Sequence, residues 1–195
     1  MTQPAPQGVA RWGCSGAYTA DVAWSGPLAV AAVLAVVAGF AKLLRPGPVA
    51  VALRGIGVGW GTPTMVRAGS LLEALVGAVA VGAGWTPAIV ALAVSYLGFA
   101  GFVAVARTHP GIASCGCFGE TEAPPSWRHV IVDVGLATGC VGAAVAGTPG
   151  IGPVLGAQPA AGIPFSAVVL LAAWLAYVVL SGPQAGALGL TRAAR

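Results

Sequence analysis

The sequence predicts an all-α fold: a polytopic transmembrane helical bundle with a four-helix core and a fifth span. Three observations predict it. The 195 residues are 57% hydrophobic and only 7% charged, with a mean hydropathy of +0.89, whereas a soluble domain carries about a quarter charged residues. A water-soluble fold of this length has no interior able to hide that much apolar surface. Apolar runs of membrane-crossing length recur along the chain between short breaks rich in Gly and Pro. The charged residues gather at one end of those runs. The net charge of +4 is spread over loops rather than clustered, which argues against a nucleic-acid-binding surface. Thirty glycines suit packed membrane helices, where small residues let backbones approach.

Residues 1–25 read as a polar arm holding Arg11, Cys14 and Asp21. Its basic content is thin and the apolar run starts late for a cleaved signal peptide, so that run is kept as a span. Span one is expected over 26–44, with Pro27 at its start and Pro46-Gly47-Pro48 as its stop. Residues 47–66 are too broken to cross, with a short interfacial helix expected near Val49–Leu53. Span two covers 67–83 and contains Glu73. Trp85-Thr86-Pro87 turns the chain at interface depth. Span three covers 87–106, and the loop 107–127 carries Cys115 and Cys117. Span four covers 127–147 and contains Asp133 and Cys140. Residues 147–164 read as an uncharged Gly/Pro linker, span five as 164–181, and the tail ends in Arg192 and Arg195. The organisation is therefore an arm (1–25), a membrane core (26–147), and a final segment (148–195) of linker, last span and short basic tail.

Counting spans places the end of span one, the start of two, the end of three and the start of four on one face. With five spans the tail joins them, and that face holds eight of the nine Lys and Arg residues. The positive-inside rule makes it cytoplasmic, with the N-terminus outside.

Cys115-Gly116-Cys117-Phe118-Gly119 is the obvious reactive chemistry. A disulfide between residues two apart closes a small strained ring, and strain makes the bond reducible. Such a pair suits electron exchange better than stabilisation, and Gly116 and Gly119 give the turn its backbone freedom. Arg107, Arg128 or a protonated His nearby would stabilise a thiolate. The competing uses are two small residues in a turn, or a zinc site with His109 and His129. The spacing is irregular for a metal, and none is assigned. Lys42, Glu73 and Asp133 are the supporting candidates, because charges within spans are costly and functional by default. Glu73 and Asp133 lie about six residues inside their spans, on the order of 9 Å deep, and Lys42 lies at a similar level. Glu73 is expected to face the interior and pair with Lys42 or a neighbouring Arg, with proton transfer as its second use. Cys140 shares a helix face with Asp133 and reads as a small hydrophobe.

The pattern resembles the methylamine utilisation protein MauE family, related to the DoxX-like membrane proteins. The resemblance rests on Gly39-Phe40-Ala41-Lys42-Leu43-Leu44-Arg45-Pro46 closing span one and on Glu73 within Leu71-Leu72-Glu73-Ala74-Leu75. It rests also on Cys115-Gly116-Cys117-Phe118-Gly119 after span three and on Arg128-His129 opening span four. Together these cover roughly residues 27–147. The resemblance implies a multi-pass protein of the cell membrane, in contact with lipid. It implies a thioredoxin-like protein partner and a role in maturing the disulfide-rich small subunit of methylamine dehydrogenase. The leading function is then a thiol–disulfide redox relay. The alternatives are a non-catalytic scaffold or chaperone, and a metal or small-solute transporter. A quinone cofactor enters by architectural analogy alone, with quinone-linked membrane proteins whose thiols are spaced differently. Export of disulfide-bonded proteins requires thiols outside, whereas the charge count puts the Cys loop inside; the two expectations oppose each other.

Overall fold

The computed structural model describes residues 16–109, 112, 116, 124–157 and 159–181. Its elements are α1 (Gly16–Leu44), α2 (Gly47–Gly55), α3 (Pro63–Ala83), α4 (Thr86–Ala106), α5 (Trp127–Ala146), α6 (Ile151–Ala157) and α7 (Pro159–Ser181). No strand occurs among the described residues. Five segments are long and apolar enough to cross a membrane: Ala23–Leu44, Pro63–Ala83, Thr86–Ala106, Trp127–Ala146 and Gly162–Ser181. These are the five spans expected, and the protein is a multi-pass membrane protein.

The helix ends follow local chemistry. The Thr62 hydroxyl accepts from the Met65 amide at 3.3 Å, and Pro63 occupies the first turn, where its missing N–H costs nothing. Gly84 ends α3 in the left-handed conformation, at φ +64°. Gly147 does the same for α5, at φ +67°. The short helix α2 covers and extends the interfacial helix expected near Val49–Leu53, burying Ala50 and Ala52.

Three boundaries differ from the sequence reading, one of them the start of α3 at Pro63, within the segment 47–66 read as too broken to cross. α1 starts at Gly16, inside the segment read as a polar arm, and Pro27 lies within the helix rather than at its start. The linker 147–164 is not irregular either: it contains α6 and the first turn of α7. Proline lacks an N–H and crowds the preceding turn, yet it is tolerated within membrane spans because neighbouring groups re-satisfy the freed backbone, and Pro27 and Pro164 both lie within membrane-crossing segments. Pro27 also lies against Gly139 of α5.

α1 is the hub, packing on α3, α4, α5 and α7. Half of the first span is buried, against 17% of the last, so α7 is a peripheral helix whose outer face meets lipid. The core is built mainly of alanines, among them Ala31, Ala32, Ala35, Ala80, Ala137 and Ala143, with Leu28, Ile89, Leu92 and Tyr96 between them. Lipid tails are as apolar as leucine, so close packing by small residues is what holds such helices together. The larger residues Leu71, Leu72, Leu75, Ile131, Val141 and Val145 point outward.

Candidate functional site

The closeness of α1 and α3 makes the site. Near the polar end of this seam, the Lys42 ammonium meets Glu73 Oε2 at 2.5 Å, with each side chain only 8% exposed. Two charges at this burial are tolerated because each neutralises the other. α4 adds Phe99, whose ring centroid lies 4.5 Å from Lys42 Nζ, so the ammonium is held by a carboxylate and a ring face together. Tyr96 meets Phe99 edge-on, at 6.1 Å and 85°. Its hydroxyl donates to the Ala31 carbonyl at 2.6 Å, which clamps α4 to α1.

α5 supplies the other wall. Lys42, Glu73, Tyr96, His129 and Asp133 line a cavity of about 40 Å³, large enough for water. His129 Nε2 lies 3.1 Å from the Leu180 carbonyl and Nδ1 lies 2.9 Å from Ser126 Oγ. A carbonyl only accepts, so Nε2 carries the proton and, in the neutral ring, Nδ1 accepts from the Ser126 hydroxyl. This bond places the end of α7 beside the start of α5, as the five-span count requires. One ammonium, two carboxylates and an imidazole thus line one small chamber, whose remaining walls are apolar, Leu34, Ala38 and Leu136 among them.

Of the sequence-predicted residues, the structure brings Lys42, Glu73 and Asp133 together. Glu73 pairs with Lys42, the first of the partners expected. Cys115 and Cys117 lie outside the described residues, as does Cys14. Cys140 is fully buried in the alanine core, seven residues along the same helix as Asp133. His109 is exposed, with Nδ1 3.0 Å from the Val105 carbonyl, at the end of α4. Among the described residues no group of three or more His, Cys, Asp or Glu is placed to hold a metal. Arg107, considered as a thiolate neighbour, stacks on Trp127 at 4.3 Å. It ties the end of α4 to the start of α5 and so brings together the two roots of the Cys loop.

Two points of that loop are fixed. Ile112 packs against Gly55, and Gly116 is buried against Pro48 and Val49 of α2. Gly116 has φ +66°, and a Cβ there would come within 2.8 Å of the Val49 backbone nitrogen. The centre of Cys-Gly-Cys is therefore a glycine on two counts, backbone conformation and space.

The sequence reading did not single out Tyr96 and Phe99. A signal existed: a tyrosine within an uncharged span needs a partner for its hydroxyl, and Phe99, one turn on, shares its face.

Against known proteins, the family model described as methylamine utilisation protein MauE matches residues 19–149. The match takes in nearly all of α1 and continues through α5. No curated protein and no solved structure matches the chain.

Proposed function

The chain belongs to the methylamine utilisation protein MauE family, and from that premise we propose that it is a thiol–disulfide redox relay of the cell membrane, a maturation factor working with a thioredoxin-like partner. The observation that carries this reading is the seat of Gly116 on α2. Gly116, the centre of the motif, is buried against Pro48 and Val49 of α2 in the left-handed conformation, which supports a loop built around that glycine for docking to a second protein. In the exchange, a partner thiolate attacks one sulfur of the Cys115–Cys117 disulfide, giving a mixed disulfide and one free thiolate. The second partner thiol resolves it, so the pair gains two electrons and the partner is oxidised; the reverse reaction uses the same atoms. Lys42, Glu73 and Asp133 hold the chamber's charge and supply or accept the protons that the thiolates exchange. The family's disulfide-rich small subunit of methylamine dehydrogenase is the model for the final substrate.

The test is trapping of the mixed disulfide. Cys115→Ser and Cys117→Ser variants should insert normally, one of them accumulating the mixed disulfide with a thioredoxin-like protein and both losing net exchange. Undiminished exchange in both would sink the relay and leave a docking scaffold. Labelling of intact cells with a membrane-impermeant maleimide, before and after reduction, assigns the face. Thiols labelled only after reduction are an outward disulfide; thiols labelled only after lysis face inward.

Gly116→Ala should act without touching either sulfur. Forcing a Cβ into the left-handed region costs about 1–2 kcal/mol, and the contact with Val49 adds to it. We expect thiol exchange to fall while both cysteines remain and insertion is normal. Exchange at the wild-type rate in Gly116→Ala would show that the seat is not needed.

A further inference from the structure

We infer that the pocket bounded by α2, α3 and α4 binds a neutral lipid with a hydroxyl head, drawn from the bilayer, with its hydroxyl at the intact Lys42–Glu73 pair. The pocket encloses about 500 Å³, within the range of small-molecule sites. Its walls are apolar, with Val49, Leu53, Val76 and Phe102 among them. Trp60, Met65 and Leu72 at its rim are all more than half exposed, so it opens to the lipid side of the bundle. Two serines line it, but neither hydroxyl proton is free. Ser70 donates to the Val66 carbonyl at 2.6 Å and Ser95 to the Ala91 carbonyl at 2.9 Å. The polar end is therefore the Lys42–Glu73 pair, which this pocket shares with the small chamber behind it.

Glu73 states what the occupant must offer. Its Oε2 is taken by Lys42, while Oε1 is buried and has no hydrogen-bond partner among the described residues. A buried carboxylate oxygen left so keeps its desolvation cost uncompensated, and it asks for a donor. The pair is already neutral as a unit, so an anionic head would compete with Glu73 for Lys42 and a cationic one with Lys42 for Glu73. A hydroxyl does neither: its proton goes to Oε1, and its oxygen accepts from the ammonium. Water satisfies Oε1 but does not fill an apolar volume of this size. Gly69 on α3 and Gly98 on α4 line the pocket, and a Cβ at either meets nothing within 4 Å, so both walls leave room for a tail or ring.

The inference is independent of the thiol reading, and its test can fail separately. The full chain, in phosphatidylcholine nanodiscs, is photolabelled with a diazirine-bearing long-chain alcohol and with its methyl ether. The alcohol should label α3 and α4 about tenfold more strongly than the ether, which can accept but not donate. Gly69→Leu with Gly98→Leu should fill the pocket and bring labelling to background without lowering thermal stability, since leucine favours the helix over glycine. Labelling should persist in the Cys115→Ser, Cys117→Ser double variant. Competition with a prenyl alcohol and with an alkyl hydroquinone separates an aliphatic from a phenolic source, and displacement by either supports the site. Equal labelling by alcohol and ether, or displacement by neither competitor, overturns it and leaves an acyl-chain groove with water on Glu73.

Discussion

Lys42→Met should destabilise the bundle by about 3–5 kcal/mol, the cost of stripping a buried charge of its partner. Met keeps most of the length and apolar stem of lysine, so packing along α1 is nearly conserved and the loss is electrostatic. Glu73, 8% exposed, then either stays ionised in a low-dielectric seam or takes a proton, and both outcomes cost stability. The double variant Lys42→Met, Glu73→Leu removes both charges, and buried pairs replaced by apolar residues are often neutral or stabilising. We therefore expect the second substitution to recover most of what the first loses. A double-mutant cycle measured by equilibrium unfolding in mixed micelles gives the coupling directly. A cost for Lys42→Met below about 1 kcal/mol, typical of an exposed pair, would show that the pair is solvated. The same variants read function as well: recovered stability with lost thiol exchange assigns the pair to chemistry, whereas recovered exchange leaves it structural.

How legible this pair was in the sequence is instructive. Lys42 and Glu73 stand at similar depths in adjacent antiparallel spans, and a charge at that depth has few partners, so depth and sign narrowed the contact to Lys42 or a neighbouring Arg, and the structure selects Lys42. The five spans were legible for a similar reason, because bilayer thickness sets a length that composition must fill. The starts of α1 and α7 were not. Pro27 and Pro164 lie inside helices, and the rule that proline stops a helix is calibrated on chains in water. The Tyr96 bond to Ala31 joins residues 65 apart, and the His129 bond to Leu180 joins residues 51 apart. Neither follows from local pattern, because it depends on which faces of two helices meet. The redox pair was named from its motif, and its two cysteines fall outside the described residues. What the structure adds is Gly116 between them, with a helix beneath it.

Gly77→Leu should cost about 3 kcal/mol, at the upper end of overpacking, or prevent assembly. The reason lies in how α1 and α3 meet. A Cβ at Gly77 would sit 2.8 Å from the Ala32 carbonyl, and one at Gly39 would sit 2.7 Å from the Ser70 carbonyl. Both obstacles are backbone, which cannot rotate away, so the helices must separate. Gly39 lies one turn before Lys42, and Ala74, which it faces, adjoins Glu73. Separating the helices along this seam therefore opens the ion pair as well as the packing. Lys42 is the one lysine in the chain, so its modification by an amine-selective reagent, read on the Lys42 peptide apart from the N-terminal amine, reports the pair directly. We expect slow modification in the wild type and fast modification in Gly77→Leu, with a fall in unfolding temperature alongside. Gly135→Leu is the control: Gly135 is exposed on α5 with nothing within 4 Å of a Cβ, and a surface change of this kind shifts stability by about 0.5 kcal/mol or less. If Gly77→Leu matched Gly135→Leu in both readouts, α1 and α3 would not be in backbone contact. Fast modification of Lys42 in Gly77→Leu would make the pair a consequence of the glycine seam, with the close approach as the cause and the electrostatics resting on it.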